Sequence, residues 1–165
     1  MTQHVRLREV HASDLEAFFD HQRDSEARQM AAFTSQDGND RDAFMTHWKK
    51  ILTDSSVVMM TIESTDGRIV GSIGSYFDGE SGAPEVTYWI GKDDWGKGIA
   101  SAALPLFLEI QCERPIYARV AVDNVRSRRV LEKNGFRIVR QDRSFAAARG
   151  TELDEYLLVH AQPIS

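Results

Sequence analysis

The chain has 165 residues, of which 42% are hydrophobic, and a formal net charge of -5. That is enough length for one domain with a sizeable core, and too acidic for a dedicated nucleic-acid binder, whose affinity leans on clustered cations. Its single cysteine, Cys112, can form no internal disulfide, the opening MTQHVRLREVHASD lacks the apolar core of a signal peptide, and no apolar run is long enough to cross a membrane. The expectation is a single cytoplasmic domain, residues 1–165, acting on small molecules and meeting neither nucleic acid nor membrane.

VRLREV at 5–10 reads as a half-buried strand. Ser13-Asp14-Leu15-Glu16 has capping-box spacing, the serine oxygen accepting a backbone N–H while the glutamate reaches back, and Leu15, Phe18 and Phe19 give the helix its apolar face. The polar break TSQDGND at 34–40 leads to a second helix carrying Phe44, Trp48 and Ile51. From residue 57 the period turns to two. SVVMMTIES, the Asp66-Gly67 turn and RIVGSIGSYF predict a hairpin, and DGESGAP followed by EVTYWIG extends it to a three-stranded antiparallel meander.

Next comes WGKGIASAALPLFLE at 95–109, a helix with the apolar stripe Ile99, Ala102, Ala103, Leu106, Phe107 and Ile110. Pro105 sits inside it, cannot donate to the Ser101 carbonyl, and predicts a kink. IYARVAV at 116–122 is a strand, NVRSRRVLEKNGF at 124–136 carries a short helix, and FRIVRQDRSF and TELDEYLLVH are closing strands. The order β-α-α-β-β-β-α-β-α-β-β makes an α+β layout with one parallel crossover between the strands flanking the glycine-led helix.

A helix start exposes backbone N–H groups and the positive end of the macrodipole, which seats anions. Gly96, Gly98 and Ala100 keep that approach free of side chains, Lys97 adds charge and Ser101 a hydroxyl; the plainer reading is a strand-to-helix turn. The segment holds neither G-x-G-x-x-G nor G-x-x-x-x-G-K-[ST], so neither nucleotide fingerprint fits.

EVTYWIGKDDWGKGIASAAL resembles the fourth strand and pyrophosphate loop of the GNAT acyl-CoA-dependent N-acyltransferases. The loop is usually written Q/R-x-x-G-x-G/A, filled here by Trp95-Gly96-Lys97-Gly98-Ile99-Ala100, with Trp95 in place of Gln or Arg. NVRSRRVLEKNGF resembles the family's second conserved segment, while VRLREVHASDLEAFF and DEYLLVH resemble the first and last elements of its ribosomal-protein N-terminal acetyltransferase branch. The resemblance implies a mixed, mostly antiparallel sheet of about seven strands with helices on both faces. It further implies acetyl-CoA as cosubstrate, direct transfer to a peptide or small-molecule amine, and a monomer or homodimer.

It also implies residue roles. A backbone N–H where the fourth strand bulges away from the fifth binds the oxyanion, implicating Tyr88, Trp89 and Ile90. Val86, Tyr88 and Ile90 alternate onto one face; Glu85, Thr87 and Trp89 share the other, where Glu85 is a candidate base or a solvated edge residue. Many relatives place a tyrosine, as thiolate acid, where this chain has Leu131. Asn124, Ser127 and Leu131 lie on one helical stripe, making Asn124 a candidate for the pantetheine arm and Ser127 for the thiolate, or for an ordinary surface position. Arg126, Arg128 and Arg129 are each candidates for the 3'-phosphate. His21 and Arg28 border the acceptor or a solvated face, the five histidines lack metal-ligand spacing, and Cys112 falls far from the phosphate loop as a structural residue. A non-catalytic acyl-CoA-binding module on the same fold is the other reading of the whole.

Overall fold

The computed structural model describes residues 4–24, 40–79, 81–146 and 150–161. Strand β1 (Val5–Glu9) passes through a 3-10 turn at Ala12–Asp14 into helix α1 (Leu15–Arg23). Helix α2 (Arg41–Thr53) then precedes strands β2 (Val58–Ser64), β3 (Ile69–Asp78) and β4 (Ala83–Ile90). A second 3-10 turn, Lys92–Asp94, leads to helix α3 (Ile99–Ile110), strand β5 (Ile116–Ala121), helix α4 (Val125–Lys133) and strands β6 (Arg137–Ala146) and β7 (Thr151–His160). Among the described residues this is the expected order; the predicted break at 34–40 lies, apart from Asp40, outside them.

The seven strands form one sheet in the order β1-β2-β3-β4-β5-β7-β6. Every neighbouring pair is antiparallel except β4 and β5, which the α3 crossover makes parallel. The main core lies on the face covered by α3 and α4, where Ile62, Ile73, Val86, Ala118 and Leu158 meet Phe107 and Leu131. On the other face Leu15, Phe18 and Trp48 of α1 and α2 pack over Met59 and Ile69.

Two local expectations are corrected. The box before α1 is closed by Asp14 rather than Glu16: its carboxylate accepts the His11 N–H at 2.8 Å. Arg8 draws Asp14 inward through paired bonds of 2.8 and 3.0 Å, while Glu16 turns outward to pair with Arg41 of α2. In α3 the buried residues are Ile99, Ala103, Leu104, Phe107 and Leu108, whereas Leu106 and Ile110 are 37% and 46% exposed. A helix apolar nearly all round offers periodicity little contrast, so its buried stripe is set by the sheet beneath it. The helix is one element through Pro105, which faces solvent.

Candidate active site

Strands β4 and β5 register as a ladder at one point, Glu85 opposite Tyr117. Beyond it they part, and a cavity of about 700 Å³ opens in the seam, within the size range of small-molecule sites. Because the gap is in the sheet itself, its walls come from both faces. Tyr88, Ser127 and Leu131 line it on the α3–α4 side, and Tyr76, Glu85, Arg119 and Glu155 on the other.

At the open end stands the loop before α3. Gly96 and Gly98 both have φ of 77°, in the left-handed region that favours glycine. A Cβ built on Gly96 would meet nothing within 4 Å, so the backbone's conformation, rather than room alone, requires the glycine. Gly98 caps α3, whose first intrahelical bond is Ala102 N–H to Gly98 O at 3.0 Å. The N–H groups of Ile99, Ala100 and Ser101 therefore have no intrahelical acceptor and carry the positive end of the dipole. Ala100 lines the cavity, whereas the Ile99 side chain is buried in the core, leaving only its N–H for a ligand. The charge that Lys97 adds to the loop is shared: its Nζ lies 3.0 Å from Asp94, which also takes Arg68 through both guanidinium arms at 2.8 and 2.9 Å. Those partners hold the Asp94 carboxyl below its usual range.

Trp95 donates its indole N–H to the Ile90 carbonyl at 3.0 Å, and the guanidinium of Arg126, from α4, lies 5.6 Å from its ring centroid. Both residues line the cavity. Arg128 lies 3.5 Å from Glu132, too poorly aligned for a hydrogen bond, and over the ring of Tyr156, and neither it nor Arg129 is part of the lining. Of the three candidate arginines, Arg126 alone lines the cavity.

In the middle of the seam the Tyr88 hydroxyl stands 2.6 Å from Ser127 Oγ. Burial pushes the Tyr88 phenol up to about 12 against the opposing bond to Ser127. Asn124 is the cap of α4, its side-chain oxygen accepting the Ser127 N–H at 3.2 Å; it sits before the helix rather than on its stripe. Leu131 is buried and apolar. The Trp89 indole N–H is buried on the cavity wall with no acceptor among the described residues, a donor that a ligand can satisfy.

At the closed end Glu85 is only 5% exposed, which overturns the edge-residue alternative: β4 is a central strand. Its carboxylate accepts the Tyr76 hydroxyl and Arg119 Nε at 3.1 Å. Arg119 in turn reaches Glu155 at 3.2 Å and Asp142 at 3.6 Å. Burial, then the bond to Glu85, pushes the Tyr76 phenol well above its usual range. Sequence reasoning missed Tyr76, Arg119 and Glu155. The one available signal was Arg119, a charge interrupting the apolar IYARVAV; Tyr76 comes opposite Glu85 only through the hairpin register.

His21 packs its ring on Gly91, where a Cβ would lie 2.7 Å away, and burial lowers its pKa; it does not line the cavity. Arg28 lies outside the described residues. Cys112 is exposed just past α3, so it is no core residue.

A family model described as an acetyltransferase (GNAT) domain matches residues 4–137. An "Uncharacterized N-acetyltransferase p20" from Bacillus licheniformis is 30% identical over 102 residues, an alignment covering 58% of this chain and 56% of that relative's length. Among solved structures, one assigned provisionally as a phosphinothricin N-acetyltransferase superposes with a TM-score of 0.80 at 22% identity, covering 96% of this chain and 98% of the other. Mycobacterium smegmatis RimJ, in complex with CoA-disulfide, gives 0.76 at 24% identity over 95% and 81% of the two chains. These two likenesses speak to the fold alone. The family match runs from the first strand through the α4 segment into the sixth, and on it the chain belongs to the acetyltransferase (GNAT) domain family.

Proposed function

We propose that this protein is an N-acetyltransferase that moves an acetyl group directly from acetyl-CoA to a primary amine, on a peptide, a protein N-terminus or a small molecule. The observation that carries the reading is the cavity through the sheet, with free helix N–H groups at one end and a buried carboxylate at the other. The open end suits an anionic cosubstrate. The N–H groups of Ile99, Ala100 and Ser101 and the guanidinium of Arg126, steadied on Trp95, would hold phosphates there. The backbone at Tyr88, Trp89 and Ile90, unpaired to β5, would receive the thioester carbonyl.

Across the sheet, Glu85 would attract the ammonium form of the acceptor, and after that ammonium has lost a proton to solvent it would take the proton the neutral amine gives up as it attacks. An α-amine, with a pKa of about 7.7–8.0, is already neutral to roughly a tenth near pH 7, whereas a lysine near 10.4 is not. The α-amine is therefore the favoured acceptor, in keeping with the resemblance to the ribosomal-protein branch. Ser127, the hydroxyl beside apolar Leu131, would hydrogen-bond the departing sulfur.

Leu131 also favours a second reading, an acyl-CoA-binding module without turnover. Thiol release from acetyl-CoA over a panel of α-amines, ε-amines and small amines separates the two. Turnover with α-amines fastest is expected; binding of acetyl-CoA with no thiol release from any amine would replace the enzyme by the sensor. Gly98→Glu, which puts bulk and negative charge at the cap of α3, should abolish acetyl-CoA binding in calorimetry, and unchanged affinity in a folded variant would refute the loop assignment.

A further inference from the structure

The Tyr88 hydroxyl has a job that neither strand packing nor backbone binding accounts for. Its ring packs with the main core, yet its oxygen reaches across the seam from β4 to α4 and stops 2.6 Å from Ser127 Oγ. The Ser127 carbonyl is a poor alternative acceptor at 3.4 Å. Ser127 is itself held, because Asn124 fixes its N–H and leaves its hydroxyl out of the helix cap. Among the described residues, Tyr88 is the hydrogen-bond partner of that hydroxyl.

A hydroxyl with one heavy-atom partner can point its proton either toward that partner or away from it. A phenol is the more acidic of two such hydroxyls and the better donor. When Tyr88 donates, the lone pair of Ser127 Oγ is occupied and the serine proton is left to face the cavity that both residues line. We propose that Tyr88 is a positioning residue: its phenol fixes the Ser127 hydroxyl as a donor aimed at the sulfur of the cosubstrate. This rests on the acetyl-CoA reading above and adds to it the group that sets the serine's direction. Because burial raises the phenol's pKa to about 12, it stays a protonated donor throughout the neutral range. Hydrogen bonds in series polarise one another, so the serine becomes a better donor as charge gathers on sulfur.

In the transfer itself the amine nitrogen forms the new C–N bond and the C–S bond breaks with its electron pair remaining on sulfur. The amine's proton passes to Glu85, and both hydroxyl protons stay on their oxygens. The sulfur leaves as a hydrogen-bonded thiolate, which solvent protonates after release.

The test uses product CoA and needs no acceptor. The thiol of CoA bound to the intact protein is titrated by its thiolate absorbance, in the wild type and in Tyr88→Phe, which keeps the ring in the core. Wild-type protein should lower the bound thiol's pKa, and Tyr88→Phe should raise it again by about one unit, a tenfold loss of thiolate at a given pH, with CoA affinity within about twofold. Ser127→Ala should raise it at least as far, and the double variant no further than Ser127→Ala alone, since Tyr88 acts through the serine. Equal CoA binding with the same thiol titration in wild type and Tyr88→Phe overturns the inference and leaves the acetyltransferase reading standing. So does a double variant in which the two shifts add. Failure of the wild type to bind CoA overturns both.

Discussion

Two buried carboxylate networks sit on this sheet, one at its β1 edge and one at the parted seam, and they differ in what surrounds them. At the edge Asp14, 1% exposed, is saturated: Arg8 grips both its oxygens, and the His11 N–H and Thr61 hydroxyl each add a bond of 2.8 Å. Arg8 also gives its Nε to Glu63 at 2.7 Å, so the group ties β1 and β2 to the start of α1. At the seam Glu85 is nearly as buried, but Arg119 divides its guanidinium between Glu85 and Glu155 and comes within 3.6 Å of Asp142, which Arg140 holds at 2.8 Å, and Glu85, Arg119 and Glu155 line a cavity. A buried charge is therefore no mark of function in itself. A sealed network fixes how strands and helix meet, and an open one, with negative charge in excess, is fit to receive a cation.

The sharpest way to break this contrast is to remove the charge from each side. Asp14→Asn removes the charge that Arg8, the His11 N–H and the Thr61 hydroxyl all meet; Arg8 keeps Glu63, so unfolding in urea should show a loss of about 2–3 kcal/mol, with activity per folded molecule unchanged. Glu85→Gln should do the reverse. Arg119 retains Glu155 and Asp142, so the thermal midpoint should move little, while kcat falls on the order of a hundredfold for loss of a general base and acetyl-CoA binding holds. An unfolded Glu85→Gln, or a fully active one, would erase the distinction between the networks.

Acid titration sharpens the same point. Burial pushes the Asp14 carboxyl up, but the Arg8 guanidinium, the His11 N–H and the Thr61 hydroxyl outweigh it and hold the group at about 2, from an ordinary 3.8. A carboxyl depressed on folding contributes stability that is fully present above its unfolded pKa and lost as pH falls through the folded one. The stability gap between wild type and Asp14→Asn should therefore be constant above pH about 4 and close as pH falls toward about 2. A gap independent of pH would show that the aspartate's shape, rather than its charge, holds the edge.

The fold was legible because periodicity and punctuation agree along most of the chain. The meander announced itself through Asp66-Gly67 and alternating strands, and Gly67 indeed turns at φ 85°. The alternation of Val86, Tyr88 and Ile90 against Glu85, Thr87 and Trp89 followed from the period of a strand alone. Polar side chains that meet through tertiary register were not legible. Arg119 and Glu85 are 34 positions apart, and Arg8 and Glu63 are 55; nothing local tells which arginine finds which carboxylate. Lys97 is a different case, since its partner Asp94 lies only three residues back and the pair was there to be read in the local sequence. Where a helix is apolar nearly all round, as α3 is, even the buried face needs the sheet to define it.

The smallest expected effect tests whether the edge network has a rim. Arg6 reaches Glu63 through Nε at 2.6 Å, in the same cluster as Arg8, but its side chain is 71% exposed against 26% for Arg8. An exposed ion pair trades a hydrated charge for a restrained one in a screening solvent, so little is gained. Glu63 also keeps the bond from Arg8 when Arg6 is gone. Arg6→Ala should thus shift the thermal midpoint by no more than about 2 °C, and the shift should fade at an ionic strength of about 1 M, where the Debye length falls to roughly 3 Å. The Asp14→Asn deficit should persist in the same salt, because Asp14 itself is buried and screening acts weakly on it. If Arg6→Ala costs as much as Asp14→Asn, the cluster is one cooperative unit out to its exposed side, and the seam differs from it only in having a cavity.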